Sequence, residues 1–285
     1  MDTLSLSPPS GDGDESVCYL CLDTEADQPL RRDCACRGTD AGFVHLSCLT
    51  KYAATKSKQA RSMNEFTQPW RVCPSCHQDY QNELAVDIAS KFASFVRRQY
   101  PQDTRRQIEV LNVKLAALGS MFERLQPVQK REAGVTANVL LSLIDRMRGD
   151  VLTLPKRYSQ MEASAYGVHG RIALNEGTDE SARRAVAHLE TSLQVFKAIG
   201  DVDGVATAKA NIALARSLYE NGNTEEVLKA SQELYELRVA EWGEEHEYTI
   251  KSGKNYAVNL QKANRGEEAR DLLSKLLATS KQVLE

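Results

Sequence analysis

Apolar residues recur at helical spacing through most of the chain after residue 80. Four of them, three or four residues apart, define the apolar face of the first predicted helix: Leu84, Ile88, Phe92 and Phe95. Because an α-helix completes a turn about every 3.6 residues, this spacing puts all four side chains on one side. Asn82 is a suitable cap for the start of this helix, and Pro101 is expected to end it.

The end of the chain repeats a pattern of turn, acidic residues and amphipathic helix. Glu180, Glu225 and Glu267 occupy matching positions that lie 45 and 42 residues apart. A second helical pattern precedes each turn, so the predicted unit is a pair of helices. Gly222 stands at the second turn, and Asn264 takes the corresponding place at the third.

The first 80 residues lack this periodicity except in one segment. Residues 46–60 form a predicted helix, in which Leu46, Leu49 and Tyr52 share one face. Residues 1–16, MDTLSLSPPSGDGDES, are polar and acidic, and they contain too few apolar side chains to form a core. We therefore expect this tail to be disordered.

All seven cysteines lie in the N-terminal part of the chain, in paired spacings that include one histidine. A pair spaced by two residues can direct both sulfurs to one ion, and a closed zinc site takes four thiolate or imidazole ligands in a tetrahedron. Eight ligands therefore suit two structural zinc ions and leave no open position for a catalytic metal. The predicted ligands are Cys18, Cys21, Cys34, Cys36, His45, Cys48, Cys73 and Cys76.

The order of the ligand pairs also allows an interleaved arrangement, in which pairs one and three hold one ion and pairs two and four hold the other. Three other uses of the cysteines compete with zinc. Paired spacing is unusual for buried free cysteines. An odd number of cysteines without a signal peptide disfavours a disulfide framework, and an iron–sulfur cluster normally uses four cysteines. We therefore interpret the set as two zinc sites.

The charge distribution excludes one class of partner. The chain has 285 residues with a net charge of −3, and residues 1–80 hold eight basic and eleven acidic residues. Neither part carries the basic footprint that nucleic-acid binding requires. No apolar run approaches the roughly 20 residues of a membrane helix, and no secretion leader is present. We expect a soluble protein of the cytoplasm or nucleus, where thiolates stay reduced, with no nucleic acid partner and no membrane span.

The stretch from Cys34 to Leu49 resembles the RING-CH zinc finger, a RING variant of membrane-associated ubiquitin ligases and their soluble relatives. A single residue separates its first two cysteines, Gly38 follows shortly, and Phe43 and Val44 precede the histidine. The gap between the fourth ligand and the histidine is one residue longer than usual, which we interpret as a loop insertion. The plant homeodomain finger has the same ligand order. It differs in two spacings, since it normally has two residues between the third and fourth ligands and a shorter gap before the histidine. The resemblance covers about residues 16–80.

The resemblance implies specific partner-binding residues. In RING fingers, the positions of Leu20 and Pro74, each between two ligands, form a shallow groove for a ubiquitin-conjugating enzyme. Trp70 either fills the core of the finger or joins this groove. Many RING ligases place a basic residue just after the last ligand, where this chain has His77. RING ligases have no nucleophile, so no catalytic residue is predicted and the implied chemistry is positioning.

Residues 255–269, NYAVNLQKANRGEEA, resemble the tetratricopeptide repeat in the longer form seen in kinesin light chains. Ala257 and Ala269 would take the small-residue positions where paired helices approach closely. Residues 242–249, WGEEHEYT, resemble the acidic, histidine-containing link between kinesin-light-chain units. Such repeats usually present a concave surface to peptides or partner proteins. The alternative is a generic helical bundle.

The sequence thus predicts a small zinc-stabilised RING-like α+β finger followed by an all-α, tetratricopeptide-like helical-repeat solenoid. One or two degenerate units are expected within residues 104–160, where Leu111, Leu115, Leu118 and Phe122 share a face. The predicted domains are a disordered tail at 1–16, the finger at 17–80, a linker helix at 81–103 and the repeats at 104–285, clearest at 163–285.

Three functions fit this organisation. The first is a ubiquitin-protein ligase, in which the finger recruits a ubiquitin-conjugating enzyme and the repeats bind a substrate or partner protein. The second is a non-catalytic scaffold or adaptor, and the third is a chromatin reader. His169, His188 and His246 lack partners at ligand spacing and are interpreted as surface or packing residues.

Overall fold

The computed structural model describes residues 16–24, 29–34, 36, 42–150, 153–217 and 224–284. Three sequence predictions lie outside these residues: the disordered tail apart from Ser16, the glycine at 38, and the turn at Gly222. The chain divides into two compact units, with the boundary in the sequence between Arg124 and Leu125.

The N-terminal unit combines a minimal sheet with short and long helices. Strands β1 and β2 pair antiparallel, with Leu30 opposite His45 and Arg31 opposite Val44. The 3₁₀ turn Gln68–Trp70 leads into the last pair of cysteines, and a second 3₁₀ turn, Phe122–Arg124, lies at the end of the unit. The described elements are β1 (Leu30–Arg31), β2 (Val44–His45), α1 (Leu46–Gln59), α2 (Met63–Thr67), α3 (Asn82–Gln99) and α4 (Thr104–Ser120).

Helix α3 buries its apolar face in the core of this unit. The four side chains that the periodicity predicted, from Leu84 to Phe95, are all at most 6% exposed. Phe92 stacks on Trp70 with ring centroids 4.8 Å apart, and Phe66 of α2 lies 5.5 Å from the same phenylalanine ring. Such aromatic contacts stabilise by about 0.5–1.5 kcal/mol each beyond the area they bury.

A hydrogen-bonded chain satisfies the polar atoms inside this aromatic core. Trp70 is fully buried, and its indole Nε1 donates to Ser57 Oγ at 2.7 Å. Ser57 Oγ in turn donates to the carbonyl oxygen of Phe66 at 2.7 Å. The interior position of Ser57 on α1 is therefore explained, because an unpaired buried indole N–H would cost about 1–3 kcal/mol.

The C-terminal unit is a succession of helices, each packed mainly on its neighbours in sequence. Connections of only a few residues, such as 175–178 between two long helices, bring successive helices back beside each other. Contacts made mainly between sequence neighbours are typical of a repeat solenoid. The described helices are α5 (Pro127–Asp150), α6 (Lys156–Leu174), α7 (Asp179–Ala198), α8 (Val202–Ser217), α9 (Thr224–Trp242), α10 (Glu247–Lys262) and α11 (Gly266–Leu284).

Local signals set where these helices begin and end. Thr178 and Ser181 form a reciprocal capping box at the start of α7, with each side chain accepting from the other residue's backbone N–H. Asn264, between α10 and α11, has φ +60°. Asparagine tolerates this left-handed conformation better than other residues with a side chain, which explains how it replaces glycine at that turn.

Small residues lie where paired helices approach most closely. Ala257 on α10 and Ala269 on α11 are 1% and 2% exposed and share one apolar cluster. Gly170 on α6 faces Leu189 on α7, and a Cβ at Gly170 would lie 2.6 Å from Leu189 Cγ. The packing of successive helices in pairs thus confirms the helical-repeat fold expected from the sequence.

The compact units do not coincide with the predicted domain bounds, because α3 and α4 belong to the first unit. Helix α3 therefore contributes to a core, whereas residues 81–103 were predicted to be a linker helix. The domain bounds stay a prediction, since a compact unit is not by itself an independently folding domain. None of the described helices combines the length and the hydrophobicity that spanning a lipid bilayer requires.

We predict that Gly170→Ala destabilises the helical unit by about 1–3 kcal/mol, because the new methyl group overlaps a fully buried leucine. The measurement is chemical denaturation of the full chain, followed by far-ultraviolet circular dichroism. Gly149→Ala is the matched control, since a Cβ there has nothing within 4 Å. Equal stability of the two variants would contradict the close approach of α6 and α7.

Candidate metal centre

Two groups of four ligand atoms form in the N-terminal unit. Within each group, the four ligand atoms, one from each residue, lie within 4.8 Å of one another. The first and third ligand pairs make one group, and the second and fourth pairs make the other. The interleaved arrangement that the sequence allowed is therefore present. The groups are Cys18, Cys21, His45 and Cys48, and Cys34, Cys36, Cys73 and Cys76.

The separations within the groups fit zinc. A tetrahedral ion with Zn–S bonds of about 2.3 Å has sulfur–sulfur edges of about 3.8 Å. Cys36 Sγ lies 3.6 Å from Cys73 Sγ. In the other group, His45 Nδ1 lies 3.4 Å from Cys21 Sγ and 3.9 Å from Cys48 Sγ. The donor sets and their spacing match two structural zinc ions, as predicted.

The backbone folds in the same way around the first and last cysteine pairs. Leu22 N–H donates to Cys18 O at 2.8 Å, and His77 N–H donates to Cys73 O at 3.0 Å. Leu22 and His77 each follow the second cysteine of their pair, with φ +64° and +57°. A left-handed residue at this point closes the loop and brings both sulfurs to one side. Both positions carry ordinary side chains at some conformational cost.

The ring of His45 is oriented by a contact behind the metal site. His45 Nε2 lies 3.1 Å from the carbonyl oxygen of Thr24, and this acceptor requires an N–H on Nε2. The tautomer with the proton on Nε2 leaves the lone pair of Nδ1 for the ion. Such outer contacts fix the orientation of ligating histidines and raise their basicity.

The protein environment also favours the thiolate at Cys18. Burial raises the pKa of this thiol, but hydrogen bonds from the backbone of His45 and Leu20 oppose it and lower the pKa to about 7. Since zinc binds the thiolate, a lowered pKa reduces the cost of losing the proton on coordination.

Gly42 is a residue of the second site that the sequence analysis missed. Its φ is +85°, and an added Cβ would lie 2.7 Å from Cys36 Cβ and 3.1 Å from Cys34 Sγ. Both the backbone conformation and the space around it therefore require glycine. Its position between the fourth ligand and the histidine was the signal in the sequence that could have identified it.

Hydrogen bonds and ion pairs connect the start of α3 to residues beside the second metal site. Asp33, next to the ligand Cys34, accepts the Gln81 N–H through its carbonyl oxygen at 2.7 Å. Its carboxylate faces Leu84 N at 3.4 Å. Arg31 reaches Glu83 and Asp87 on the same helix at 3.4 and 3.3 Å. Metal binding and the start of α3 are thus linked through β1 and the residue beside Cys34.

The predicted partner-binding residues fall in different environments. Leu20 and Pro74 are partly exposed, each inside one of the two folded cysteine pairs. Trp70 is fully buried, so its assignment as a direct partner contact is corrected. It takes the other role considered for it, in the core, because Ser57 satisfies its N–H and Phe92 covers its ring. His77 is exposed.

Residues 18–78 match the family model of the RING-variant domain. This match spans all eight ligands and agrees with the geometry of the two sites. A comparison with curated protein sequences found no match.

The chain is also similar to solved structures of other proteins. One is BtubC (BKLC) from P. vanneervenii, with 16% identity and a TM-score of 0.48, covering 70% of this chain and 74% of that one. Another is a putative kinesin light chain with nearly identical TPR-like repeats from Podosopora anserina, with 14% identity and a TM-score of 0.40, covering 84% of this chain and 96% of that one. The helix pairing described above, rather than these scores, supports the repeat fold.

We predict that Gly42→Ala removes the zinc held by the second group and leaves the first occupied. The expected content falls from two zinc ions per chain to about one, because the new methyl group overlaps Cys36. Metal analysis of the purified full chain measures the ratio. Gly149→Ala, where a Cβ meets nothing, should keep both ions. A Gly42→Ala protein that retains two zinc ions would contradict the structure of this site.

Proposed function

We propose that the protein is a ubiquitin-protein ligase of the RING type. The observation that carries the proposal is the match of residues 18–78 to the RING-variant domain, a domain commonly found in such ligases. The domain holds a conjugating enzyme that carries ubiquitin, and the helical repeats bind the substrate or a partner protein.

The chemistry of the finger supports positioning rather than covalent catalysis. All seven cysteines belong to the two metal groups, so none is left to act as a nucleophile. A closed four-ligand site also has no open position at which a metal could activate water. What the finger can contribute is effective concentration and orientation, which lower a barrier without new bonds.

Leu20 and Pro74 are the proposed contacts for the conjugating enzyme. Both are partly exposed, and each lies in a loop between two cysteines that would bind the same metal ion. A rigid apolar contact loses little conformational entropy on binding, so small side chains there can carry a large share of the affinity. The same rigidity allows the finger to fold normally when one of them is shortened.

The adaptor alternative is favoured by one observation. The residue after the last ligand is His77, exposed and in a left-handed conformation, where many RING ligases have a basic residue. An adaptor would use the finger only as a zinc-stabilised binding module. We further propose a reducing compartment, cytoplasm or nucleus, because the ligand thiols must stay reduced.

We predict that Leu20→Ala lowers ubiquitin self-modification by about tenfold or more while keeping two zinc ions. The assay combines the full chain with ubiquitin, activating enzyme and a panel of conjugating enzymes. Leu277→Ala on α11 is the control, since this leucine is 58% exposed and lies outside the finger. Loss of transfer in Leu20→Ala alone supports the proposal.

Two other results would count against the proposal. Transfer by Leu20→Ala at the level of the unchanged protein would mean that the groove does not hold the conjugating enzyme. No transfer with any conjugating enzyme, from protein carrying two zinc ions, would favour the adaptor.

A further inference from the structure

Three aromatic rings form an exposed cluster where α9 ends and α10 begins. The ring of Trp242 lies 4.9 Å from that of His246 and 5.8 Å from that of Tyr248, and the last two are 5.5 Å apart. Despite this packing, Trp242 is 38% exposed and Tyr248 is 50% exposed. Tryptophan and tyrosine are the residues most enriched at the energetic centres of protein interfaces.

The side chain of Arg238 packs against two rings of the cluster. Its Nε and Nη2 bond the two carboxylate oxygens of Asp203 at 2.8 and 3.2 Å, and its guanidinium lies 5.7 Å from the ring of Trp242. It lies 5.9 Å from the ring of Tyr248 and donates to the carbonyl oxygen of that residue at 3.4 Å. The positive charge of Arg238 is thus balanced by a carboxylate from the neighbouring helix.

Two further bonds fix the backbone of this corner. Tyr248 N–H donates to His246 Nδ1 at 3.3 Å, which caps α10. Thr249 Oγ1 donates to the carbonyl oxygen of Arg238 at 3.1 Å. Because the rings are held in place before any partner arrives, binding would cost little ordering entropy.

Apart from Arg238, whose charge Asp203 balances, and Lys275, which pairs with Glu244, the charged side chains named beside the rings are acidic. Residues 241–249 contain four glutamates and no lysine or arginine. Glu244 pairs with Lys275 at 2.6 Å, whereas Glu241, Glu245 and Glu247 are exposed. A negative field around exposed aromatic faces favours a cationic partner, both through steering and through cation–π contacts.

We propose that this acidic aromatic surface, formed by Trp242, His246, Tyr248, Glu241, Glu245 and Glu247, binds a basic segment of a partner protein. Arginine or lysine side chains of the segment lie over the exposed ring faces, and the glutamates pair with their charges. The surface belongs to the helical unit, and its binding requires neither zinc nor ubiquitin transfer. It therefore defines a second recognition site, whether the finger acts as a ligase or as an adaptor.

The test uses three peptide probes with the full chain. The first is an eight-residue peptide of alternating arginine and serine, the second has lysine for arginine, and the third has glutamate for arginine. Calorimetric titration should show binding of the two basic peptides, weakening as salt rises, and none of the acidic peptide. The chain has two tryptophans, and Trp70 is fully buried, so a change in tryptophan fluorescence on binding reports on Trp242.

Charge reversal locates the site. Glu245→Lys combined with Glu247→Lys should weaken binding of the arginine peptide by about tenfold or more. Glu180→Lys combined with Glu267→Lys is the matched control, because it changes the net charge equally in the first turns of α7 and α11. The control should bind within about twofold of the unchanged protein. Equal weakening in the two double variants would overturn the proposal, because net charge alone would explain binding.

Trp242→Ala tests the aromatic part, with circular dichroism as a check on folding. Loss of binding by a folded variant is expected, and unchanged binding would overturn the proposal. If this variant does not fold, the two charge-reversal proteins still test the proposal, since they change exposed side chains.

Sedimentation tests whether a second copy of the chain, instead of a partner protein, covers the surface. Self-association of the unchanged protein that the Glu245→Lys, Glu247→Lys variant loses would mean that a second copy covers the surface, and would overturn the proposal.

Discussion

The N-terminal unit depends on the tetrahedral coordination of two metal ions, because the ligands that share an ion come from separate segments of the chain. Cys21 and His45 are 24 residues apart, and Cys36 and Cys73 are 37 residues apart. The sheet that joins these segments has only two residues in each strand. Strands this short cannot by themselves hold the ligand segments together, so the free energy of metal binding contributes to the stability of the finger.

The metal sites and the aromatic core form one continuous structure. The apolar cluster of this unit includes the ligands Cys18 and Cys73, the core residue Trp70 and the helical residue Phe92. Ligands of both metal groups and the apolar face of α3 therefore share one cluster. Each of the two proposed contacts for a conjugating enzyme lies between two ligands of a metal group, and Leu20 also packs against this cluster.

The chemistry of the metal site could be predicted from the sequence because spacing along the chain determines which sulfurs can share an ion. The location of α3 could not, because an amphipathic pattern indicates that a face is buried but not what buries it. Trp70 is a similar case: its size suits either a core or a groove, and the choice depends on Ser57, thirteen residues away. Residues 242–249 were recognised only as a link, because the side-chain contacts that make them a surface arise from packing on Asp203 of α8.

The most direct test of this account is hydrogen exchange on the full chain before and after zinc is removed with a chelator. If the two metal sites and the aromatic core are one unit, then α1 and α3 lose protection together on zinc removal, while α6 and α7 keep theirs. Continued protection of α3 in the zinc-free protein would show that the helix is stable without the finger. That result would contradict the dependence of the N-terminal unit on metal coordination.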